Sequence, residues 1–347
     1  MSFQITIQPS QHQFVAEADK SVLDAALAAG IVLPYSCRSG ACSTCKAKVL
    51  SGSVEAGTSP AQILSVDEID AGFTLLCQAR ATSDLVIESR ELRLASDIQI
   101  RKIPSRVTAI QRPTSDVAIL TLQLPATETF RFNAGQYVEV ILKDGKRRSY
   151  SMANAPHAAS SLELHLRHLN GGLFTDHVFG AGATAMKERE ILRLEGPFGS
   201  FFLREESELP IVMLASGTGF APIKSIIEHM VQQNITRPIT LYWGGRRPGD
   251  LYMNELVEQW AKTIAGFTYV PVVSEALPED GWTGRTGFVH RAVMQDFPDL
   301  SGYQVYACGA PIVVESARRE FVAACNLAEE AFFADSFTSE ADVAALK

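Results

Sequence analysis

The chain has 347 residues, longer than one hydrophobic core usually grows, so two or three domains are expected, each burying its own interior. Apolar residues make up 46% and charged ones 20%, a globular balance that excludes wholesale disorder, and a net charge of -8 without clustered Lys and Arg argues against a nucleic-acid partner. No apolar run reaches the roughly eighteen residues of a membrane span, and Met1 to Ser10 alternates like a strand, so neither a membrane segment nor a signal peptide is expected.

Residues 1–92 read as a compact mixed unit. Phe3, Ile5 and Ile7 alternate with polar residues as a half-buried strand does, and His12 to Val15 can return as a hairpin. Ser21-Val22-Leu23-Asp24 has the pattern of a helix start, Leu23, Ala26 and Leu27 form its apolar stripe, and Gly30 can close it. Lys46 to Leu50 and Asp84 to Glu88 are further strands, and Ser65-Val66-Asp67-Glu68 caps a short helix. From Leu92 to Ser105 the charge is mixed and Pro104 ends the stretch, which suggests a connector.

Residues 101–204 form the second expected domain. Val117–Leu124, Gln136–Leu142, Arg147–Met152 and Leu162–Leu166 are short strands punctuated by Pro113, Pro125, Gly135, Gly145 and Pro156, the spacing of a small antiparallel barrel. In the third, residues 208–347, the rhythm changes. Ile211–Ala215 is a continuous apolar strand, Ala221–Val231 a helix and Ile239–Trp243 a strand, and the alternation recurs through Tyr303–Cys308 and Pro311–Ala324. That is the α/β signature of a parallel sheet covered on both faces.

Cys37, Cys42 and Cys45 share one small-residue loop at spacings of four and two residues, and Cys77 follows far downstream. Six cysteines are too few for a disulfide framework in so long a chain, which favours a reducing, cytoplasmic setting. Thiolates suit both zinc and iron–sulfur clusters, but structural zinc usually takes two short paired spacings. Three ligands on one loop with a distant fourth resemble the plant-type ferredoxin pattern of a 2Fe-2S cluster. The first unit then resembles a β-grasp ferredoxin, with Arg38 on its exposed rim.

Arg147-Arg148-Ser149-Tyr150-Ser151 on a barrel strand resembles the Arg-x-Tyr-Ser flavin motif of the ferredoxin–NADP reductase superfamily. The resemblance implies that Arg148 pairs with the flavin diphosphate, that Ser149 and Tyr150 line the flavin, and that the Ser151 hydroxyl lies near N5. It also sets the strand of His165, Leu166 and Arg167 beside the flavin, with Gly172, Leu173 and Thr175 offering free N–H groups to a phosphate. His165, His168 and His177 otherwise read as packed or solvent-facing, since none has a metal partner at useful spacing.

Ser216-Gly217-Thr218-Gly219 lies between a buried strand and a helix, as a pyrophosphate site requires, and Pro222 replaces the third glycine of the Rossmann fingerprint. In the superfamily that replacement is usual. Cys308-Gly309-Ala310-Pro311 resembles the segment that sets a thiol beside the nicotinamide, although Cys308 alone would read as a packing cysteine. Asp335 and Phe337 match, by spacing, a carboxylate and an aromatic at the flavin face, and the chain continues past them to Lys347. Cys325 is expected to be structural and mid-helix.

The order of parts implies a multidomain α+β and α/β protein: a β-grasp ferredoxin domain, a six-stranded antiparallel flavin-binding barrel and a Rossmann-like domain for the pyridine nucleotide. It resembles the reductase components of multicomponent oxygenases of the benzoate dioxygenase and phenol hydroxylase type, and CDP-6-deoxy-glucoseen reductase, which serves a pyridoxamine-phosphate sugar dehydrase. The implied path runs from NADH through FAD to the cluster and out to a protein acceptor, with Ser151, Cys308 and Asp335 shaping the hydride-transfer pocket. NADH is expected in preference to NADPH, although Arg246 and Arg247 could accept a 2'-phosphate. The protein is expected to be monomeric when free. A reading of another class is a non-catalytic electron carrier or redox sensor.

Overall fold

The computed structural model describes residues 1–57, 63–94, 98–127, 129–157, 160–180 and 184–338. The chain divides into two compact units, Met1–Asp97 with the chain from Ala334 onward, and Ile98–Phe333. The described residues mix α and β elements throughout.

In the first unit a five-stranded sheet runs in the order His12–Glu17, Ser2–Gln8, Leu85–Glu88, Lys46–Ser51 and Phe73–Leu75. Ile5 and Ile7 turn to its buried face because strand side chains alternate. Helix Val22–Ala28 starts where expected, the Ser21 hydroxyl accepting the Asp24 N–H at 3.1 Å. Ser65 and Glu68 form a complete capping box on Val66–Asp70.

The second unit opens with a six-stranded antiparallel sheet in the order Arg147–Ser151, Tyr137–Ile141, Ile191–Phe198, Arg101–Gln111, Val117–Gln123 and Ser161–Arg167. A bridge between Met152 and Leu164 joins its two ends into a barrel. Leu120, Leu122, Val138, Val140, Leu164 and Leu194 fill the interior. Two of these strands were not anticipated. Arg101–Gln111 begins inside the stretch read as a connector, and along Arg101–Ser105 it pairs on one side only, where a residue without an N–H is tolerated, so Pro104 does not break it.

The same unit continues into a parallel sheet, ordered Arg285–Thr286, Phe267–Val273, Ile239–Gly245, Ile211–Ser216 and Gln304–Gly309, with Phe332–Ser336 at its edge. Ile211 to Ala215 are buried without alternation because helices such as Phe220–Gln232, Val289–Asp296 and Pro311–Ala324 cover the sheet. Cys325 caps the last of these helices instead of lying within it, and is buried. Among the described residues no helix is long and apolar enough to cross a membrane. The chain after Thr338 lies outside the described residues.

Candidate functional site

The cysteine loop is bent by left-handed backbone at Arg38 (φ 55°) and Gly40 (φ 78°), which turns its small residues around the sulfurs. Cys37 and Cys42 lie with sulfurs 3.1 Å apart, and the Ser39 N–H reaches Cys37 Sγ at 3.5 Å. The loop bearing Cys77 is held by the free N–H groups at the start of helix Val22–Ala28. Val22 donates to the Ala79 carbonyl at 2.9 Å and Leu23 to that of Leu76 at 3.0 Å. On the rim, Arg38 is half-buried and paired with Asp24 at 3.1 Å.

The four sulfurs fall into two donor–acceptor pairs. The hydrogen bond from Cys42 brings the Cys37 thiol down to about 5 and pushes Cys42 itself up. Cys77 is lowered in the same way by Cys45, which is raised in turn. Two pairs of thiols fit a two-iron cluster, in which each iron takes two cysteines.

On the barrel, Arg148 and Tyr150 are half-buried, Ser149 is exposed and Ser151 is buried. The Tyr150 ring packs on Phe174 at 5.5 Å, and burial raises its phenol well above the ordinary value. Arg147 forms ion pairs with Glu139 and Glu195 on neighbouring strands, so the barrel wall holds it, whereas Arg148 Nη1 donates to the Arg147 carbonyl at 2.8 Å. Gly172 precedes helix Leu173–Phe179 and Leu173 is exposed. Thr175 is buried and its hydroxyl donates to the Leu169 carbonyl at 2.9 Å, so that side chain holds the turn together.

The strand Ser161–Arg167 alternates between the barrel interior and side-chain partners outside it. Leu166 lies in the barrel core. His165 is buried with both ring nitrogens engaged, Nδ1 with the Tyr252 hydroxyl at 2.7 Å and Nε2 with Glu163 at 2.9 Å. The Arg167 guanidinium meets Asp250 at 3.1 Å and lies beside the dinucleotide turn, about where a Cβ on Gly217 would sit 3.6 Å from its Cζ.

Gly217–Gly219 is a single 3-10 turn that runs straight into helix Phe220–Gln232. It is fitted closely against the strand end Cys308-Gly309. A Cβ on Gly219 would lie 2.1 Å from the Cys308 carbonyl oxygen, and one on Gly309 2.5 Å from that of Ser216. Thr218 and Cys308 are buried. Trp243 fixes the turn from below, its indole N–H donating to the Gly217 carbonyl at 3.0 Å and its ring stacking on Phe220 at 4.1 Å. Sequence reasoning missed Trp243 and Tyr252; the only signal was a Trp directly before Gly244-Gly245 at a strand end.

Asp335 is buried, and its carboxylate accepts the Ser36 hydroxyl at 2.6 Å, on the residue just before the first cysteine. The Ser336 N–H also reaches Ser36 Oγ at 3.1 Å. Phe337 is half-buried. Farther along the sheet, Arg247 is latched to Asp280 by two hydrogen bonds of 2.9 and 2.7 Å, while Arg246 is largely exposed with Asp250 3.7 Å away.

Residues 5–82 match the 2Fe-2S iron-sulfur cluster binding domain, 104–203 the oxidoreductase FAD-binding domain and 213–319 the oxidoreductase NAD-binding domain. The chain is 40% identical, over 97% of its length and 99% of the relative's, to the CDP-6-deoxy-L-threo-D-glycero-4-hexulose-3-dehydrase reductase of Yersinia pseudotuberculosis. It is 36% identical to terephthalate 1,2-dioxygenase reductase component 1 of a Comamonas species, with 98% of each chain covered. A solved Amycolatopsis cytochrome P450 reductase superposes with a TM-score of 0.75 at 31% identity, covering 97% of this chain and 99% of the other.

Proposed function

We propose that this chain, which belongs to the family of iron–sulfur flavoprotein reductases, holds its cluster on Cys37, Cys42, Cys45 and Cys77 and its flavin through Arg148, Ser149, Tyr150 and Ser151. It is an oxidoreductase using NADH, FAD and a 2Fe-2S cluster. When bound, the flavin takes electrons two at a time from NADH and returns them singly to the cluster. The chain's own part is placement. Gly217, Thr218 and Gly219 receive the dinucleotide on backbone N–H groups, Gly309 lets that turn approach, and Cys308 and Ser151 bound the hydride-transfer pocket. The domains are taken as 1–92, 101–204 and 208–347.

The observation that carries this reading is the pairing of four thiols in one unit with a glycine turn and a flavin strand in the other. Purified protein should show flavin and iron–sulfur absorbance and should reduce both ferricyanide and cytochrome c with NADH. A colourless protein that turns over neither acceptor would instead be a carrier or sensor. NADH is preferred because Arg247 is neutralised by Asp280, leaving less charge for a 2'-phosphate.

Relatives of this kind pass electrons to oxygenase or dehydrase components. The acceptor proposed for this chain is a terminal oxygenase component. A hexulose dehydrase is the second reading, favoured by 40% identity to a dehydrase reductase against 36% to a dioxygenase reductase. Reconstitution with each type of component, scored by product formed per NADH consumed, decides between them. The protein is taken to be cytoplasmic and monomeric when free; sedimentation tests the latter.

A further inference from the structure

The strand Ser161–Arg167 uses its two faces differently. Leu162, Leu164 and Leu166 fill the barrel. Glu163, His165 and Arg167 alternate with them and point outward, as strand side chains must, and each meets a different side chain of the dinucleotide lobe. Glu163 pairs with Lys224 at 3.1 Å, His165 with the Tyr252 hydroxyl at 2.7 Å, and Arg167 with Asp250 at 3.1 Å. An acid, a neutral ring and a base therefore face a base, a hydroxyl and an acid in the same order. Sliding the lobe by one pair would leave its charges facing neutral groups, and sliding it by two would set like charges together.

The helix on the other side is the one that starts at Gly219. Lys224, one turn into it, has a side chain only 7% exposed and also binds Glu228 at 2.7 Å and the Ala153 carbonyl at 3.3 Å. Ser225 donates to the Asn154 carbonyl at 2.8 Å, and Glu228 accepts the Ala155 N–H at 3.3 Å. Ala153 to Ala155 is the chain leaving the strand of Tyr150 and Ser151. One helix face thus joins the dinucleotide turn to the end of the flavin strand. A buried ammonium is strongly disfavoured unless paired, so this contact tolerates few alternative seatings.

We propose that Glu163, His165 and Lys224 are positioning residues that register the dinucleotide lobe on the flavin barrel, so that the nicotinamide is delivered at hydride-transfer distance. Their effect is on the bound complex and not on capture of NADH. The inference rests on the reductase reading above.

The test uses the purified holoprotein and the variants Lys224→Met, Lys224→Arg, Glu163→Gln and Glu163→Gln/Lys224→Met. Stopped-flow reduction of the flavin at saturating NADH should slow by about tenfold or more in Lys224→Met, as expected when a reactant pair is misplaced by a fraction of an ångström. The long-wavelength charge-transfer absorbance should weaken with it, while the KM for NADH moves less than about threefold. Hydrogen exchange should rise in residues 153–155 and 220–232. Lys224→Arg should restore much of the rate, and the double variant should be no worse than Lys224→Met, because the pair is already broken.

An unchanged rate and band in Lys224→Met, a change in KM alone, or additive effects in the double variant overturns the proposal. If Lys224→Met does not fold, Glu163→Gln, which keeps the shape and leaves Lys224 with Glu228, carries the test, and its full wild-type rate is the refuting result. Wild-type protein without flavin absorbance would refute the reductase reading instead.

Discussion

The cysteine loop and the glycine turn are both short, small-residue segments beside a strand, yet they work by opposite means. In the loop the chemistry is in side chains: four thiols whose spacing along the chain already sorts them, and which meet as two pairs in space. In the turn the chemistry lies in the backbone, and the side chains matter by their absence. Gly219 is required because the Cys308 carbonyl occupies the place of its Cβ. A side-chain site announces its ligands, whereas a backbone site announces only that something must come close.

The sharpest way to separate the two is to break the loop and spare the turn. Cys42→Ser should lower cytochrome c reduction by about 100-fold or more, because a cluster missing one thiolate is lost or disabled. Ferricyanide reduction, served by the flavin, should stay within about threefold of wild type. Equal loss of both activities in the acceptor assay would contradict the proposed order of carriers.

The converse variant is Gly219→Ala. Its methyl group must displace the Cys308-Gly309 backbone, so flavin reduction by NADH should fall about tenfold to a hundredfold while the iron–sulfur spectrum is untouched. Gly145→Ala is the control. Its φ of 84° is left-handed, unlike the φ of -59° at Gly219, but nothing lies within 4 Å of the new Cβ, so it should cost about 1 kcal/mol in denaturant unfolding with activity unchanged.

A middle-sized effect is expected from Arg148→Ala. Removing one charge-assisted bond to a diphosphate should weaken flavin retention by about 1.5–3 kcal/mol, read as flavin fluorescence released on dilution. Smaller still, Asp280→Ala frees Arg247 from its bidentate partner, and kcat/KM for NADPH relative to NADH should rise about fivefold.

The difference between loop and turn also explains what the sequence made legible. Cys37, Cys42, Cys45 and Cys77, the capping box at Ser65 and the buried strand Ile211–Ser216 are local patterns, and local patterns survive in one dimension. The strand Arg101–Gln111 was hidden because Pro104 suggested a break, and only its one-sided pairing shows why there is none. The resemblance sets the strand of His165 and Arg167 beside the flavin and says nothing of what their side chains meet. Their partners Tyr252 and Asp250 lie far along the chain, and no spacing rule links them. Asp335 is similar: its bond to Ser36 joins residues at opposite ends of the sequence.

The weakest expected effect comes from that same buried histidine and is a matter of sign. Burial lowers His165 below its ordinary value, and the groups facing it are Glu163, Tyr252, Lys224 and Glu228. A carboxylate only accepts, so Nε2 carries the proton toward Glu163 and Nδ1 accepts from Tyr252, which leaves the ring neutral. Burial would raise Glu163, but the His165 hydrogen bond and the Lys224 ammonium outweigh it and bring that carboxyl down to about 2. Below roughly pH 6.5 the unfolded chain protonates its histidine before the folded one does, so stability falls as the solution is acidified, by at most about 1.4 kcal/mol per pH unit. Glu163 adds a second loss that begins below roughly pH 4.5, its unfolded value, and continues toward 2. His165→Gln should therefore flatten the melting temperature between pH 7 and pH 5 relative to wild type. His290, also lowered by burial, contributes a slope of the same sign that this variant leaves in place. A variant as pH-sensitive as wild type would mean that His165 is already protonated in the folded protein, and the neutral bridge to Tyr252 would have to be abandoned.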